Sequence, residues 1–151
     1  MMRAIIQRVG YANITIEQKT RRSISGGLVV FLGIENGDSR EDIRWLAGKI
    51  AKMRIFSDHE GKMNLSVTET GGEIMVVSQF TLHASTKKGN RPSWIRSATP
   101  DIAKPLYSYF VDELQKMVRT PLVTGEFGAH MDVELLNDGP VTIFLDTKNK
   151  E

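Results

Sequence analysis

Short apolar runs rich in Val, Ile and Phe recur along most of this chain, and turn residues separate them. The turns contain Gly, Asn and Asp, as in Asn36-Gly37-Asp38 and Gly71-Gly72. Apolar runs of this length between such turns are typical of β-strands. They predict strands over residues 4–9, 12–16, 27–34, 74–82, 121–124, 131–136 and 141–145. The run 27–34 is apolar at successive positions, which indicates a central strand buried on both faces.

Two segments have helical periodicity instead. The first carries an apolar stripe made of Ile43, Leu46, Ala47, Ile50 and Met53, and Ser39 with Asp42 predicts a capping box at its start. The second stripe consists of Leu106, Phe110, Leu114 and Met117, and Pro105 is expected in its first turn because it lacks an N–H. These elements predict an α+β fold, a curled, mostly antiparallel, barrel-like β-sheet with two packed α-helices. We expect residues 1–151 to form a single domain.

Composition excludes several classes of protein. The chain has 151 residues, no Cys and a net charge of +2, so disulfides and thiolate metal sites are absent. A Cys-free chain fits the reducing cytoplasm, where we expect this protein. The charge at Arg3 argues against a signal peptide, and no apolar run approaches the ~18 residues of a membrane span. The three His residues lack metal-ligand spacing and the Gly pairs match no nucleotide-binding motif, so we expect no metal and no cofactor.

Ser78-Gln79-Phe80-Thr81-Leu82 places polar groups where an apolar strand gives way to a basic loop. They could simply be the solvent-facing positions of a core strand. Thr81 could instead be a nucleophile, and His83 could serve as its base because residues two apart share a face of a strand. A third interpretation uses no side chain, since the backbone N–H groups of Phe80 and Thr81 could form an oxyanion hole.

Asn137-Asp138-Gly139-Pro140 lies between two apolar runs. The sequence is compatible with an ordinary hairpin turn, because Asp-Gly favours a positive φ and Pro can begin an edge strand. It is also compatible with a cis Gly139–Pro140 bond, although cis bonds make up only ~5–6% of X–Pro bonds in folded proteins.

A basic loop follows the first of these segments. Its cations are Lys87, Lys88, Arg91 and Arg96, and Trp94 lies among them. Charge clusters usually face water, which is the simpler explanation. Alternatively, the cations contact phosphates of a nucleic acid while Trp94 stacks on a base.

The two segments 78–82 and 137–142 together resemble the paired signature motifs of D-aminoacyl-tRNA deacylases, and the similarity continues in order along nearly the whole chain. The other matching segments are Gln7-Arg8-Val9, Gly33-Ile34-Glu35, Arg54-Ile55-Phe56-Ser57-Asp58, Gly61-Lys62-Met63-Asn64-Leu65-Ser66, Lys88-Gly89-Asn90-Arg91-Pro92-Ser93, Phe127-Gly128-Ala129 and Met131-Asp132-Val133.

The resemblance implies an enzyme that hydrolyses the ester between a D-amino acid and the 3′-terminal adenosine of tRNA, and that also removes glycine from mischarged tRNA-Ala. It further implies a homodimer with the site at the subunit interface and a cis Gly139–Pro140 element that excludes L-amino acids. The implied catalytic residues are Ser78, Gln79, Phe80 and Thr81. The implied substrate-binding residues are Gly139, Pro140, Arg8 and Met131. Two alternatives remain, a module that binds tRNA ends without hydrolysis and a Thr-nucleophile esterase for small acyl esters.

Overall fold

The computed structural model describes residues 1–151, and eight strands and three α-helices make up the fold. The strands are β1 (Arg3–Ile16), β2 (Thr20–Ile24), β3 (Gly27–Gly33), β4 (Phe56–Ser57), β5 (Met63–Leu65), β6 (Glu73–Ser78), β7 (Val123–Thr124) and β8 (Met131–Asp146). The helices are α1 (Arg40–Lys52), α2 (Val67–Thr70) and α3 (Pro100–Gln115), and a 3₁₀-helix spans Phe80–His83. None of the helices is long and apolar enough to cross a membrane.

Six strands form one mixed, barrel-like sheet in the order β2-β1-β3-β6-β7, with β8 paired to β1. The β1 pairings with β2, β3 and β8 are antiparallel, whereas β3–β6 and β6–β7 are parallel. The Arg22 guanidinium on β2 donates to the carbonyl of Thr124 on β7, so the two ends of the sheet approach each other. The predicted α+β class and curled sheet are confirmed. The prediction that β3 is central and buried is also confirmed.

Strand β8 corrects the expectation of two strands joined by a hairpin. It runs without interruption from Met131 to Asp146 along β1, which also merges two predicted strands into one. The register passes from Gln7↔Thr142 to Val9↔Asn137, so two residues of β1 face five of β8. The extra residues of β8 form a bulge around Gly139. A long β1 that can pair with both halves of β8 removes the need for a turn.

Both long helices cover one face of the sheet. The predicted capping box of α1 is confirmed, because Ser39 and Asp42 hydrogen-bond each other's backbone N–H. In α3 the helix begins at Pro100, so Pro105 lies inside it and the prediction of Pro105 in the first turn is wrong. Pro100 takes the first-turn position, where a missing N–H costs nothing. The α3 residues that face the core are Ala103, Tyr107, Phe110 and Leu114.

Candidate active site

A cavity of about 370 Å³ opens where β3 and β6 end beside the start of α3. Its walls come from four parts of the chain. The segment Ser78–Phe80 forms one wall, and Trp94 with residues 97–100 forms another. Leu32 and Ile34 form the floor, and residues 127 and 128 close the remaining side. The lining is mostly apolar with a few polar groups, as is usual for small-molecule sites.

The chain leaves the sheet at Ser78, which corrects the predicted strand over residues 74–82. The N–H of Gln79 donates to the Leu32 carbonyl at 2.7 Å, and the 3₁₀-helix begins at the next residue. This helix packs directly on Gly33, where a Cβ would come within 2.9 Å of the Leu82 Cβ. A glycine at the end of β3 therefore permits the turn that places Phe80 and Thr81 beside the cavity. That contact joins distant parts of the chain, so strand periodicity alone does not reveal it.

Thr81 has no general base in this arrangement. Its Oγ accepts a hydrogen bond from the Gln79 side-chain amide, which cannot remove a proton. His83 does not share a face with Thr81, because successive residues of a 3₁₀-helix are about 120° apart. The His83 ring is fully buried, and neither of its nitrogens has a hydrogen-bond partner. Burial lowers the pKa of His83, so the imidazole is neutral, and it forms no hydrogen bond with the Thr81 hydroxyl.

The backbone N–H groups of Phe80 and Thr81 have no acceptor in the chain. They occupy the first turn of the 3₁₀-helix, where N–H groups lack partners within the helix. No side chain caps this end, and no loop carbonyl accepts from either group. Two free donors on successive residues, next to a cavity, are suited to bind an oxygen that carries negative charge.

Two aromatic rings lie at the mouth of the cavity. Phe80 and Trp94 meet edge to face, with ring centroids 5.3 Å apart. Both rings are large apolar surfaces left open to solvent, since Phe80 is 56% exposed and Trp94 is 41% exposed. An exposed aromatic pair beside a cavity provides a surface on which a planar base can stack.

The four cations of the basic loop fall into two groups, one without and one with an ion-pair partner. Lys87, Lys88 and Arg91 are exposed and form no ion pair. Arg96 instead pairs with Glu35, with 2.7 Å between Nε and Oε1. Burial acts to raise the pKa of Glu35, but hydrogen bonds from the Met1 ammonium group and Arg96 outweigh it and hold this pKa below its usual value. Arg96 therefore anchors the loop, and the other three cations remain available to a ligand.

The Gly139–Pro140 segment lies in the bulge of β8, and Arg8 holds it. The Arg8 guanidinium donates to the Asp138 carbonyl at 3.2 Å and to the Ile55 carbonyl at 2.6 Å. The buried side chain of Gln7 donates to Asn137 and to the Val141 carbonyl, so it ties together both sides of the bulge. Gly139 has a φ of +107°, a conformation that other residues rarely adopt.

The peptide bond between Gly139 and Pro140 is trans, so the cis bond implied by the resemblance is wrong for this structure. Both residues are exposed, and no buried contact within the chain favours the rarer isomer. Under those conditions the ordinary preference of X–Pro bonds for trans, about 0.5–1 kcal/mol, decides the geometry.

The two signature segments do not meet within one chain. Arg3 at the start of β1 donates to the Leu82 carbonyl at 3.0 Å, whereas the bulge lies beside Arg8. Five residues of strand separate these points, which is about 17 Å at ~3.3 Å per residue. Met131, the remaining substrate-binding candidate, pairs with Ile16 at the far end of β1, and it does not line the cavity.

The amino-acid sequence matches known proteins along nearly its whole length. Residues 5–146 match the family model described as D-Tyr-tRNA(Tyr) deacylase. The D-aminoacyl-tRNA deacylase of Parabacteroides distasonis is 57% identical over 150 residues, covering 99% of this chain and all of the relative. The Flavobacterium johnsoniae protein of the same name is 58% identical with the same coverage.

Two solved structures share the architecture. One, described as c-Myc DNA Unwinding Element Binding Protein, superposes with a TM-score of 0.89 and 37% identity, covering 95% of this chain and 97% of its own. The other, described as a probable eukaryotic D-amino acid tRNA deacylase, has a TM-score of 0.80 at 17% identity over 95% of this chain and 98% of its own, which supports the fold alone.

The curled sheet with a mostly apolar cavity at its edge belongs to a hydrolase that acts on the ester bond of aminoacyl-tRNA. The chain is a member of the D-Tyr-tRNA(Tyr) deacylase family.

The sequence alone assigned no role to two residues that the structure places beside the 3₁₀-helix and the bulge of β8. Ser97 donates from its hydroxyl to the Phe80 carbonyl, and Gln7 braces the bulge. A polar residue inside the apolar strand β1 was the available signal for Gln7. Ser97 had no signal, because a lone Ser in a basic loop is common.

Proposed function

We propose that the enzyme cleaves the D-aminoacyl ester by backbone catalysis, without a covalent intermediate. In this mechanism water attacks the ester carbonyl with help from the neighbouring 2′-OH of the substrate. The N–H groups of Phe80 and Thr81 stabilise the oxyanion that forms. The observation that carries this proposal is the pair of acceptor-free N–H groups beside the cavity, combined with a Thr81 hydroxyl that has no base.

The cavity would hold the 3′-terminal adenosine of the tRNA. A base that stacks against Phe80 or Trp94 would leave its ribose near the 3₁₀-helix, and the ester would then lie near Phe80 and Thr81. The exposed cations Lys87, Lys88 and Arg91 would contact acceptor-stem phosphates, since cations near a backbone neutralise its charge. Such a protein works where charged tRNA is found, which is the cytoplasm.

Selection against L-amino acids would come from the Gly139–Pro140 segment of a second copy of the chain. The segment is exposed and is held by Arg8, and about 17 Å of β1 separates Arg8 from Arg3, which contacts the Leu82 carbonyl, so a homodimer is the simpler way to join the two segments. Its backbone would bind the substrate's α-ammonium group and stand where an L side chain projects. A D side chain would point away from this wall. Glycine has no side chain to exclude, so glycyl-tRNA-Ala would also be cleaved.

The first test is deacylation of matched D-Tyr-tRNA, L-Tyr-tRNA and Gly-tRNA by purified protein, followed on acid gels. We expect loss of the D-Tyr and Gly esters while the L-Tyr ester survives. Loss of all three esters would show that the protein is an esterase that does not select between D- and L-amino acids. Retention of all three, with tRNA still bound, would support a binding module in place of an enzyme.

Subunit complementation tests the composite site. One variant, Phe80→Pro, removes a proposed oxyanion N–H, and a second, Gly139→Trp, blocks the loop. Each alone should be inactive. A random mixture refolded together should regain roughly a quarter of wild-type activity, because half of the dimers would contain one intact site. A mixture that stays inactive, although chromatography and light scattering show mixed dimers, would rule out a site shared between copies.

A further inference from the structure

We propose that Ser97 is a positioning residue for the oxyanion hole and acts through the peptide bond between Phe80 and Thr81; this inference rests on the backbone mechanism proposed above. Its Oγ donates a hydrogen bond to the Phe80 carbonyl at 2.9 Å across the wall of the cavity. These residues are 17 positions apart in sequence, so the contact joins the basic loop to the 3₁₀-helix.

The Phe80 carbonyl and the Thr81 N–H belong to the same planar peptide unit. In a trans peptide these two groups point in opposite directions, so whatever fixes the carbonyl also fixes the N–H. The Ser97 hydroxyl fixes the direction of this carbonyl, and the Thr81 N–H therefore points the opposite way within the same peptide plane, away from Ser97. A hydrogen bond to the carbonyl also polarises the amide and strengthens its N–H as a donor.

Ser97 is itself held in place without any ligand. Its N–H donates to the Trp94 carbonyl at 2.9 Å, and the next N–H, that of Ala98, donates to the Ile34 carbonyl at 2.9 Å. Ser97 also forms an antiparallel bridge with Glu35. These bonds come from the backbone, so they survive when the side chain changes. The Ser97 side chain is only partly buried and belongs to neither hydrophobic core, so its truncation should leave the fold intact.

Ser97 could bind the substrate or orient the Thr81 N–H, and the effect of its loss distinguishes these two roles. If Ser97 bound the substrate, its loss would weaken ground-state binding. If it orients the Thr81 N–H, its loss would act mainly when negative charge develops on the ester oxygen. We expect Ser97→Ala to lower kcat about tenfold with little change in KM, which corresponds to about 1.4 kcal/mol of transition-state stabilisation.

The experiment compares two analogues that bind but do not react. One is tRNA carrying D-Tyr through a 3′-amide, which mimics the ground state. The other carries a tetrahedral phosphonate in place of the ester carbonyl, which mimics the oxyanion. In Ser97→Ala the amide should bind as in wild type, and the phosphonate should bind about tenfold more weakly. Ser97→Thr retains the hydroxyl and should restore phosphonate binding. Ser25→Ala is the matched control, because Ser25 is exposed and its hydroxyl forms no hydrogen bond.

Three outcomes would overturn the inference or its foundation, and they differ from one another. If Ser97→Ala weakened binding of both analogues equally, Ser97 would be an ordinary substrate contact. Unchanged binding of both, with unchanged kcat, would mean that its hydrogen bond has no part in catalysis. If wild type binds the phosphonate no more tightly than the amide, the oxyanion hole itself is absent, and the backbone mechanism fails before Ser97 is considered.

Discussion

Gly139→Ala is the substitution that most directly tests how the bulge is built. Gly139 has a φ of +107°, which strains any residue that has a Cβ. A Cβ at this position would also lie 2.1 Å from Nη2 of Arg8, well inside contact distance. The guanidinium would have to move, and its bonds to Asp138 and Ile55 would be lost or lengthened.

Backbone strain and loss of the Arg8 hydrogen bonds contribute separately to the free-energy cost of this substitution. Backbone strain at positive φ costs about 1–2 kcal/mol for a residue with a Cβ. Loss of a hydrogen bond to a charged group costs about 1.5–3 kcal/mol. Gly61→Ala provides the control, because Gly61 also has a positive φ, +78°, but no atom lies within 4 Å of the added Cβ. The free-energy cost of Gly139→Ala should therefore exceed that of Gly61→Ala by about 2 kcal/mol. Because the loop is exposed, this cost should appear mainly as a displacement of the loop.

The assay measures kcat/KM for D-Tyr-tRNA and L-Tyr-tRNA with wild type and both variants, alongside urea unfolding. We expect the ratio of D to L to fall at least tenfold in Gly139→Ala, since a displacement worth about 1.4 kcal/mol suffices for that factor. Gly61→Ala should keep the wild-type ratio and lose only about 1 kcal/mol of unfolding free energy. If the two variants have the same ratio and the same stability, then neither the Arg8 contact nor the loop position governs selectivity.

Three further substitutions test other parts of the site and fold. Arg8→Lys keeps the charge but loses the guanidinium that bonds two carbonyls at once, so D/L discrimination should fall severalfold; an unchanged ratio would show that Arg8 does not position the loop. Thr81→Val should retain most deacylation, and a loss of several orders of magnitude in a folded protein that binds tRNA would restore the covalent Thr mechanism. Burial acts to raise the pKa of Asp42, but bonds from Lys148 and Ser39 outweigh it and lower that pKa to about 2. This carboxylate therefore stabilises the fold above its unfolded pKa of 3.8, and the contribution disappears as pH falls towards 2. Asp42→Asn should cost about 2 kcal/mol in urea unfolding at pH 7, and a gap to wild type that persists at pH 2 would contradict this linkage.

Local chemistry made much of the fold predictable. The capping box at Ser39 and the central strand β3 were correct, because capping and strand periodicity depend on neighbours in sequence. The two errors have different causes. Pro105 lies inside α3 because Pro100 already begins the helix, and His83 is separated from Thr81 because the chain turns into a 3₁₀-helix on Gly33. The first error concerns a local signal, since Thr99-Pro100 is itself typical of a helix start. The packing on Gly33 has no signature in the local pattern.

The sequence by itself determined the class of the fold, the two signature segments and the absence of thiol chemistry, since residue identity and short-range spacing carry all three. Only the tertiary structure decided how those segments are presented. Pairing along the whole of β1 turned an expected hairpin into a bulge, and packing on Gly33 freed the N–H groups of Phe80 and Thr81. Backbone hydrogen bonds and close packing between remote residues set these features, and such contacts exist only once the chain has folded.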